Sequence, residues 1–280
     1  MLIIDAFIFY NEIDLLFYRL SILNNVVDYF ILIESKYTFV GKEKNLFYEE
    51  NKHMFSQFHN KIKHIILEDA PHKYGTDKEN YAWENEIFQR NFIIHGLNEV
   101  HSLLNLNNND FIIIADLDEI PDPRTILQIK NLNNLDLSIY SLEMDAYMYN
   151  LNTINNHKWY RTKLITVEFI VYLFHKNIHC HDIRLFEMGL PKVPIIKSGG
   201  WHLSYLGDAN FIKNKLENFS HQEFNVNEFT NLDKIQDRIK KSANIIDDSV
   251  EPYNYIKIID NHYLPVDYDK YLIKYFKLDD

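Results

Sequence analysis

The stretch that decides the fold runs over residues 111–119 and reads Phe111-Ile112-Ile113-Ile114-Ala115-Asp116-Leu117-Asp118-Glu119. Five apolar residues in a row are typical of a strand that is buried on both faces of a sheet. Apolar runs of the same kind occur at residues 2–9, 29–34 and 63–67, with amphipathic stretches between them. This alternation predicts an α/β fold with a central, mostly parallel sheet flanked by helices.

The spacing of apolar residues also predicts the other elements. In the first half, helices are expected at residues 12–23, 47–60, 81–104 and 121–130. In the second half, strands are expected at 138–149 and 164–174, a third apolar segment ends at 199–205, and helices are expected at 208–219 and 227–246. The chain has only 7 Gly and 7 Pro and no Pro/Gly/Ser-rich linker, so we expect one domain over residues 1–280.

The composition argues against several classes of protein. There are 40 acidic and 29 basic residues, so the net charge of -11 provides no basic field for a nucleic-acid backbone. The single cysteine, Cys180, excludes an intrachain disulfide. No run approaches the roughly 20 apolar residues of a membrane helix, and residues 2–9 resemble a buried strand more than a signal peptide. We therefore expect a soluble, cytoplasmic protein without a transmembrane segment, and the abundance of Asn, Ile and Lys indicates a bacterial or viral source.

Polar residues follow each predicted strand of the first half. Ligands of parallel sheets bind at the carboxyl ends of the strands, where these polar residues would meet. The polar strand ends are Asn11-Glu12, Glu34-Ser35, Glu68-Asp69 and Asp116-Leu117-Asp118. The sequence therefore predicts a polar ligand site on one rim of the sheet.

Asp116 and Asp118 are the strongest candidates for a metal site. Side chains two residues apart on an extended chain share a face, and two carboxylates at this spacing can hold one Mg²⁺ or Mn²⁺ ion. Such a cation would leave positions open for phosphate oxygens. The alternative interpretation is a solvated acidic turn, because a bare pair of aspartates with this spacing is common.

Several motifs in the same order resemble glycosyltransferase family 17. They are Phe9–Leu16, Val27–Ser35, Thr38–Lys42, Trp83–Arg90, Ala115–Pro121 and Gly199–Tyr205. The resemblance extends from about residue 5 to about residue 230. The family includes β-1,4-mannosyl-glycoprotein 4-β-N-acetylglucosaminyltransferases, which add a bisecting GlcNAc to N-glycans.

The resemblance implies a GT-A (Rossmann-like) fold, a UDP-sugar donor such as UDP-GlcNAc, a divalent metal, a glycan acceptor and inversion at the anomeric carbon. The nucleotide-binding half would cover about residues 1–125, and the acceptor-binding half about residues 126–280. Vertebrate members carry a membrane anchor and a luminal stem, and neither is expected here. The acceptor is therefore not assigned to N-glycans.

Chemistry and fold analogy together assign the ligand-binding residues. Those assigned to the nucleotide sugar are Asn11, Glu12, Glu34, Lys42, Arg90, Asn91, Asp116 and Trp201. His202 follows two glycines that would allow the backbone to approach a ligand, and it would complete a metal site with Asp116 and Asp118. Alternatives remain open: Arg90 would bind phosphate or lock an acidic strand end, and Trp201 and His202 would otherwise be core residues.

An inverting transferase needs a general base, and a carboxylate is expected. The candidates between the metal motif and His202 are Glu143, Asp145, Asp182 and Glu187. We favour Asp145, because it shares a strand face with Glu143 and leads into Tyr147 and Tyr149, which would form an acceptor platform. The cluster around Cys180 contains three histidines, but its spacing favours a polar loop near the active site over a zinc site.

Two rival functions use the same acids. A metal-dependent phosphohydrolase would need a second metal cluster or a nucleophile, and the acidic motif lacks the following Thr or Ser of an aspartyl-phosphate enzyme. A non-catalytic sugar-binding module on a transferase fold would not require the intact pair of Asp116 and Asp118.

Overall fold

The computed structural model describes residues 1–132, 138–186, 193–247, 249 and 251–276. Its first half contains β1 (Ile3–Phe9), α1 (Ile13–Leu23), β2 (Tyr29–Ser35), α2 (Phe47–Glu50), a 3₁₀ helix (Lys52–Lys61), β3 (Ile62–Leu67), α3 (Tyr81–Asn91), α4 (Ile93–Leu104), β4 (Phe111–Asp116), β5 (Glu119–Pro121) and α5 (Pro123–Asn131).

The second half contains β6 (Ile139–Met148), β7 (Thr153–Ile154), β8 (Lys163–Thr166), α6 (Val167–His175), α7 (Cys180–Arg184), β9 (Ile195–Ser204), α8 (Ala209–Asn218), α9 (Asn227–Thr230), α10 (Leu232–Lys241), β10 (Asn254–Tyr255) and α11 (Tyr268–Tyr271). Three further 3₁₀ turns lie at Gln222–Phe224, Ile258–Asp260 and Ile273–Tyr275.

The strands of the described residues form one ten-stranded sheet with the order β10-β7-β6-β8-β4-β1-β2-β3, and β9 pairs with β5 and β6. The four strands β3, β2, β1 and β4 are parallel neighbours. Their register sets Asp116 beside Ile8, and Phe9 beside Glu34, so the carboxyl ends of β1, β2 and β4 lie on one edge. The predicted α/β fold class is confirmed, and this parallel half has the predicted strand–helix alternation.

The second half of the sheet is mixed. β8 runs antiparallel to β4 and β6, whereas β9 runs parallel to β6 and antiparallel to β5. A Cβ atom on Gly200 would lie 2.1 Å from the carbonyl oxygen of Ile120, so only glycine permits this close approach of β9 to β5. The expectation that these glycines let a ligand approach is therefore replaced by a strand-packing role, which places His202 opposite Glu119.

Side chains of the central strands alternate between two hydrophobic layers. Ile3 and Phe7 of β1 pack into one layer with Leu16 and Leu20 of α1. Ile4 and Ala6 pack into the other, which contains residues of α4 and α6. Because both faces are covered, these strands are apolar at nearly every position. The same coverage leaves the strand ends as the place where polar side chains gather.

One predicted strand was wrong. The segment 164–174 is a strand only to Thr166, and α6 follows at once. The Thr166 hydroxyl caps this helix by accepting a hydrogen bond from the Phe169 N–H, and Ile170 and Leu173 are buried one turn apart. β-branched and aromatic residues favour a strand locally, but the cap and the buried helical face decide the outcome.

Predicted helices were also subdivided. The segment 81–104 consists of α3 and α4, which meet at Phe92, and the segment 227–246 divides at Asn231 into α9 and α10. Residues 47–60 form one short α-helix and a 3₁₀ helix. In the part of the chain that is described, no helix has the length and apolar character needed to cross a bilayer.

Candidate active site

A cavity of about 520 Å³ opens at the carboxyl ends of β1 and β4. Its acidic lining residues are Glu12, Glu86, Asp116 and Asp118, and its basic ones are Lys44, Arg90, Arg161, Arg184 and Lys215. Aromatic rings from Tyr10, Tyr37, Phe39, Trp83, Trp159 and Tyr205 complete much of the wall. The cavity therefore combines cations suited to a diphosphate with flat apolar faces suited to a base or a sugar ring.

Arg19 fixes the backbone of the acidic turn that follows β4. Its guanidinium makes two hydrogen bonds to the Asp5 carboxylate, at 2.8 and 2.6 Å, and both side chains are fully buried. The third nitrogen, Nη1, donates to the backbone carbonyl oxygens of Asp116, Leu117 and Glu119 at 2.8, 3.0 and 2.7 Å. Because one buried side chain holds three carbonyls, the turn is oriented independently of any ligand.

Two arginines hold the acids on one side of this turn. Asp116 accepts from Nη2 of Arg90 at 2.9 and 3.2 Å and from Nη2 of Arg184 at 2.8 Å. Arg184 also donates to both carboxylate oxygens of Glu119, at 2.6 and 2.7 Å. We call this set of four residues the arginine clamp. Both oxygens of Asp116 are engaged by guanidinium groups, so coordination of a metal by Asp116 would disrupt these ion pairs.

Glu119 is the most completely bonded acid of the clamp. Its oxygens also accept from the Trp159 indole at 2.7 Å, the Thr162 hydroxyl at 2.9 Å and the Asp116 N–H at 3.0 Å. Burial by itself raises the pKa of Glu119, but the Arg184 guanidinium outweighs burial and holds that pKa below its usual range. Glu119 is therefore a structural anion behind the cavity wall.

Asp118 faces the other way, into the cavity. Its Oδ2 lies 2.9 Å from Nζ of Lys215 and 3.7 Å from Nε2 of His202, and Lys215 Nζ also lies 3.9 Å from Oε1 of Glu12. Burial alone raises the pKa of Asp118, but Lys215 and then His202 outweigh it and keep that pKa well below its ordinary value. Asp118 is thus an ionised carboxylate beside one imidazole and one ammonium group.

His202 is held by ring stacking. Its imidazole stacks on Trp159 with ring centroids 4.3 Å apart and an interplanar angle of 25°. The Nδ1 atom is buried and has no hydrogen-bond partner among the described residues. Since buried polar atoms of proteins are usually paired, this nitrogen is a feature that needs a functional explanation.

The donor set for a cation at this point is small. Within the described ranges, no three His, Cys, Asp or Glu side chains come together as a metal-binding group. Asp118 and His202 converge from adjacent segments, and one carboxylate and one imidazole fit a cation whose other ligands are diphosphate oxygens and water. The structure does not bring the predicted trio of Asp116, Asp118 and His202 together as a metal-binding group, and a metal ion at Asp118 and His202 stays a prediction.

Comparison with known proteins assigns the family. The model of glycosyltransferase family 17 matches residues 1–266. This chain belongs to glycosyltransferase family 17. It is 31% identical over 130 residues to the β-1,4-mannosyl-glycoprotein 4-β-N-acetylglucosaminyltransferases of Rattus norvegicus and Homo sapiens. The match covers 46% of this chain and 23% of each relative, so the chain spans about a quarter of their length.

Two solved structures show a weaker likeness to this family 17 chain. A 4-diphosphocytidyl-2C-methyl-D-erythritol synthase from Anaerococcus prevotii has a TM-score of 0.36 and 9% identity, covering 70% of this chain and 88% of that one. The inositol-1-phosphate CTP transferase from T. maritima also has a TM-score of 0.36, with 11% identity, covering 75% of this chain and 92% of that one. These scores are too low to support a comparison of sites.

The family 17 chain brings a different lysine to the cavity from the predicted one. Lys42 does not line the cavity, and its Nζ lies 4.7 Å from the Tyr74 ring centroid. Lys44 does line it, with Nζ 5.5 and 5.4 Å from the rings of Tyr10 and Phe47. Burial lowers the pKa of Lys44 to about 8, although the Glu34 carboxylate at 4.0 Å opposes this shift.

Other residues predicted to bind the nucleotide sugar lie outside the cavity lining. Glu34 is fully buried and accepts from the Tyr48 N–H at 2.9 Å, and His64 lies 2.9 Å away. The Asn91 side chain accepts from the His181 N–H at 2.9 Å. Trp201 is a fully buried core residue whose indole donates to the Tyr263 carbonyl at 2.9 Å. These three side chains support the fold around the site.

Arg90 and the strand-end pair Asn11-Glu12 remain at the site. Arg90 lines the cavity as part of the arginine clamp. It forms an ion pair with Asp116 at the end of β4, which is the second of the two roles that the sequence allowed for it. Glu12 lines the same cavity, whereas Asn11 lines a second cavity next to it. Their assignment to nucleotide binding stays a prediction.

The carboxylates considered for the general base do not line the cavity. Asp145 forms an ion pair with Lys158, and Glu143 accepts from the Tyr160 hydroxyl at 3.1 Å. Asp182 accepts from the His179 N–H at 2.8 Å at the start of α7. Glu187 lies outside the described residues. The structure therefore gathers none of the described candidates around Asp118.

Sequence reasoning missed Lys44, Trp159, Arg161, Arg184 and Lys215, all of which line the cavity. Arg184 lies on α7 with the Cys180 cluster that was expected near the active site, whereas Trp159 precedes β8 and pairs with Met144 of β6. Lys215 lies on the predicted helix 208–219, on the same face as its apolar stripe of Phe211, Ile212, Leu216 and Phe219. The available signal in the sequence was Asp118 itself, because no basic residue lies near it in the acidic motif and its counter-charge therefore had to come from elsewhere in the chain.

Proposed function

We propose that this chain is an inverting, metal-dependent transferase that moves N-acetylglucosamine from UDP-GlcNAc to a glycan acceptor. The observation that carries the proposal is the ionised Asp118 carboxylate, which lies 3.7 Å from His202 in a cavity lined by five cationic side chains. A UDP-sugar combines a doubly charged diphosphate with a base and a sugar ring. The basic and aromatic lining of the cavity matches both parts.

Asp118 and His202 would hold Mn²⁺ or Mg²⁺, which neutralises charge that develops on the departing diphosphate. Around that point the chain's own cations supply the rest of the binding. Lys44, Arg161 and Lys215 line the cavity, and the ion pairs of Lys215 hold its ammonium beside Asp118 and Glu12. Burial lowers the pKa of Lys215, but Asp118 and Glu12 outweigh it and raise that pKa above its ordinary value, so Lys215 stays charged.

The arginine clamp would position the reaction without taking part in it. Arg90 and Arg184 hold Asp116 and Glu119, and Arg19 holds the backbone of the same turn, so Asp118 presents its carboxylate at a fixed point. Preorganised charge of this kind needs no rearrangement when the donor bond breaks. We assign the acceptor to the glycan class. The curated relatives are named for a mannosyl-glycoprotein, so a mannosyl oligosaccharide is the first acceptor to test.

Titration calorimetry with UDP and Mn²⁺ tests the proposal. We expect wild-type protein to bind UDP more tightly with Mn²⁺ than with EDTA, and Asp118→Asn to lose that difference. UDP release from UDP-GlcNAc, UDP-GalNAc and UDP-glucose then identifies the sugar. Equal UDP binding by wild type and Asp118→Asn, in the presence of Mn²⁺, would refute the metal site. Phosphate release from simple phosphate esters would instead support a phosphohydrolase.

The same measurements distinguish a sugar-binding module. Such a module would bind the mannosyl oligosaccharide without metal and release no UDP from any donor. Inversion is checked by NMR of the anomeric proton in the first product formed. An α-linked product from the α-linked donor would contradict the inverting mechanism.

A further inference from the structure

A second cavity of about 610 Å³ adjoins the proposed donor cavity. The two share a wall made of Glu12, Asp118, Tyr205 and Lys215. The second cavity extends away from this wall between α1, α8 and the segment that ends at Phe276. A group bound there would therefore meet the donor cavity at these four side chains.

The lining of the second cavity suits a neutral saccharide. Aromatic rings from Tyr205, Phe211, Tyr275 and Phe276 line it, and Asn11, Asn150 and Asp208 add polar groups around them. Sugar rings present C–H faces to aromatic side chains and hydroxyls to amides and carboxylates. Lys215 and Lys274 are the cations that line this cavity, and both are paired with acids, so it lacks the charge that a diphosphate needs.

Backbone strain marks the same cavity. Tyr149 and Tyr205 both have positive φ angles, 68° and 54°, directly after the paired strands β6 and β9. A non-glycine residue in this region is strained, and such residues collect at functional sites. The Tyr149 N–H donates to the Ser204 carbonyl at 3.1 Å, which ties the two strained strand ends together. Both strained residues belong to the lining of the second cavity.

Glu12 is the other acid on the shared wall beside Asp118, and the sequence alone assigned it to the nucleotide sugar. It occupies the position before the first residue of α1, where a short polar side chain would cap the helix, but its side chain makes no capping hydrogen bond. Its Oε2 accepts from the Asn11 N–H at 3.2 Å. Its Oε1 lies 3.9 Å from Nζ of Lys215, and the side chain is 13% exposed.

The other acids of the second cavity each form an ion pair or a helix-capping hydrogen bond. Asp118 pairs with Lys215 and faces His202, Asp208 caps α8 by accepting from the Phe211 N–H at 2.9 Å, and Asp14 forms a surface ion pair with Lys274. Glu12 is consequently the acid at the junction of both cavities that neither caps a helix nor belongs to the proposed metal site. Three of the carboxylates considered from the sequence, Glu143, Asp145 and Asp182, line neither cavity. The fourth, Glu187, lies outside the described residues.

We propose that the second cavity binds the acceptor saccharide and that Glu12 is the general base of the transfer. This inference rests on the proposed function and replaces Asp145 in that role. The acceptor hydroxyl oxygen attacks the anomeric carbon while the bond from that carbon to the diphosphate oxygen breaks and its electron pair leaves with UDP. The hydroxyl proton passes to Oε1 of Glu12. One new C–O bond replaces the old one, so atoms and charge balance.

The decisive variant is Glu12→Gln, which keeps the shape of the side chain and removes its basicity. We expect the kcat for UDP release from UDP-GlcNAc to fall about 100-fold or more, with a mannosyl oligosaccharide or with water as acceptor, because general bases contribute 10²–10⁴-fold. UDP affinity with Mn²⁺ should stay within about threefold of wild type, which also shows that the variant folds. The acid limb of the pH–rate profile should disappear. Glu99→Gln on α4, paired with Lys63 at the surface, is the matched control.

The acceptor cavity is tested separately with Phe276→Ala. We expect the KM for the saccharide to rise roughly tenfold, the effect of losing one aromatic contact, and to rise much more than the KM for UDP-GlcNAc. A rise in the donor KM instead would overturn the acceptor assignment.

Three results would overturn the assignment of Glu12. The first is a Glu12→Gln kcat within threefold of wild type. The second is a loss of UDP affinity as large as the loss of turnover, which would make Glu12 a donor-binding residue. The third is an unchanged acid limb of the pH profile. Failure of wild type to bind UDP or to release it from any donor would refute the proposed function itself, and the inference with it.

Discussion

The carboxylates on the two sides of the acidic turn after β4 have different partners. Asp116 and Glu119 are held by the arginine clamp, and Glu119 accepts from an arginine, an indole, a hydroxyl and a backbone N–H. Asp118, between them, meets one flexible ammonium and one imidazole at 3.7 Å. The difference teaches that acids in one short motif can divide into anions that stabilise the fold and an anion kept available for a ligand.

The largest effect on stability is expected for Glu119→Gln. Removing its charge leaves the buried Arg184 with Asp116 as its remaining partner, and breaking a buried ion pair of this kind costs about 3–5 kcal/mol. Urea unfolding followed by circular dichroism measures the loss. Glu99→Gln, which breaks a surface pair with Lys63, should cost below about 1 kcal/mol. Equal losses for both variants would contradict the structural role of the clamp.

Asp118→Asn should show the reverse pattern. Without ligand its unfolding free energy should fall by only about 1.5 kcal/mol, because Lys215 keeps Glu12 as a partner. With UDP and Mn²⁺ the affinity should fall about 100-fold, the size expected for loss of a charged partner. Thermal shifts with and without UDP–Mn²⁺ separate the two effects. The division of the turn would be wrong if Asp118→Asn were as unstable as Glu119→Gln.

The pH dependence of UDP binding should follow the loss of the proton from the Lys44 ammonium group. Burial lowers its pKa to about 8, so its ammonium is present at pH 7 and is mostly lost by pH 9. An anionic diphosphate binds the charged form, so wild-type affinity should fall as pH rises through 8, by up to about tenfold. Lys44→Met should bind more weakly at pH 7 and show a flatter profile. Calorimetry at several pH values measures both, and parallel profiles would exclude Lys44 from the phosphate site.

The smallest effect is expected for Asp145→Asn. This acid pairs with Lys158 and lines neither cavity, so we expect turnover within about twofold of wild type. Steady-state assay of UDP release beside Glu12→Gln gives the comparison. A large loss for Asp145→Asn would restore the base that the sequence alone favoured.

Much of the fold could be predicted because its signals are local. Apolar runs identified β1, β2, β3 and β4, and the parallel order of the first half followed from the helices between them. The prediction failed at 164–174, where composition favours a strand but the Thr166 cap and burial of Ile170 and Leu173 select a helix. The secondary-structure propensity of a segment is overridden wherever burial in the tertiary structure favours another conformation.

The site was predicted in part for the same reason. Asp116, Asp118 and Arg90 follow from strand ends and one motif helix, and all three line the cavity. Lys44 in place of Lys42 could not have been predicted, because which of two nearby lysines enters a cavity depends on the path of the loop. Trp159, Arg184 and Lys215 are distant in sequence from the acidic turn and reach it through packing alone.

The sequence by itself determined the family, the α/β class and the position of the acidic turn, since each is written in residue order and periodicity. Only the tertiary structure decided what each acid does. The role of a carboxylate depends on which cations reach it: Arg184 reaches Asp116 and Glu119, whereas Lys215 and His202 approach Asp118. Those partners come from α7, α8 and β9, and the distances between charges, which set their energies, exist only after these elements pack.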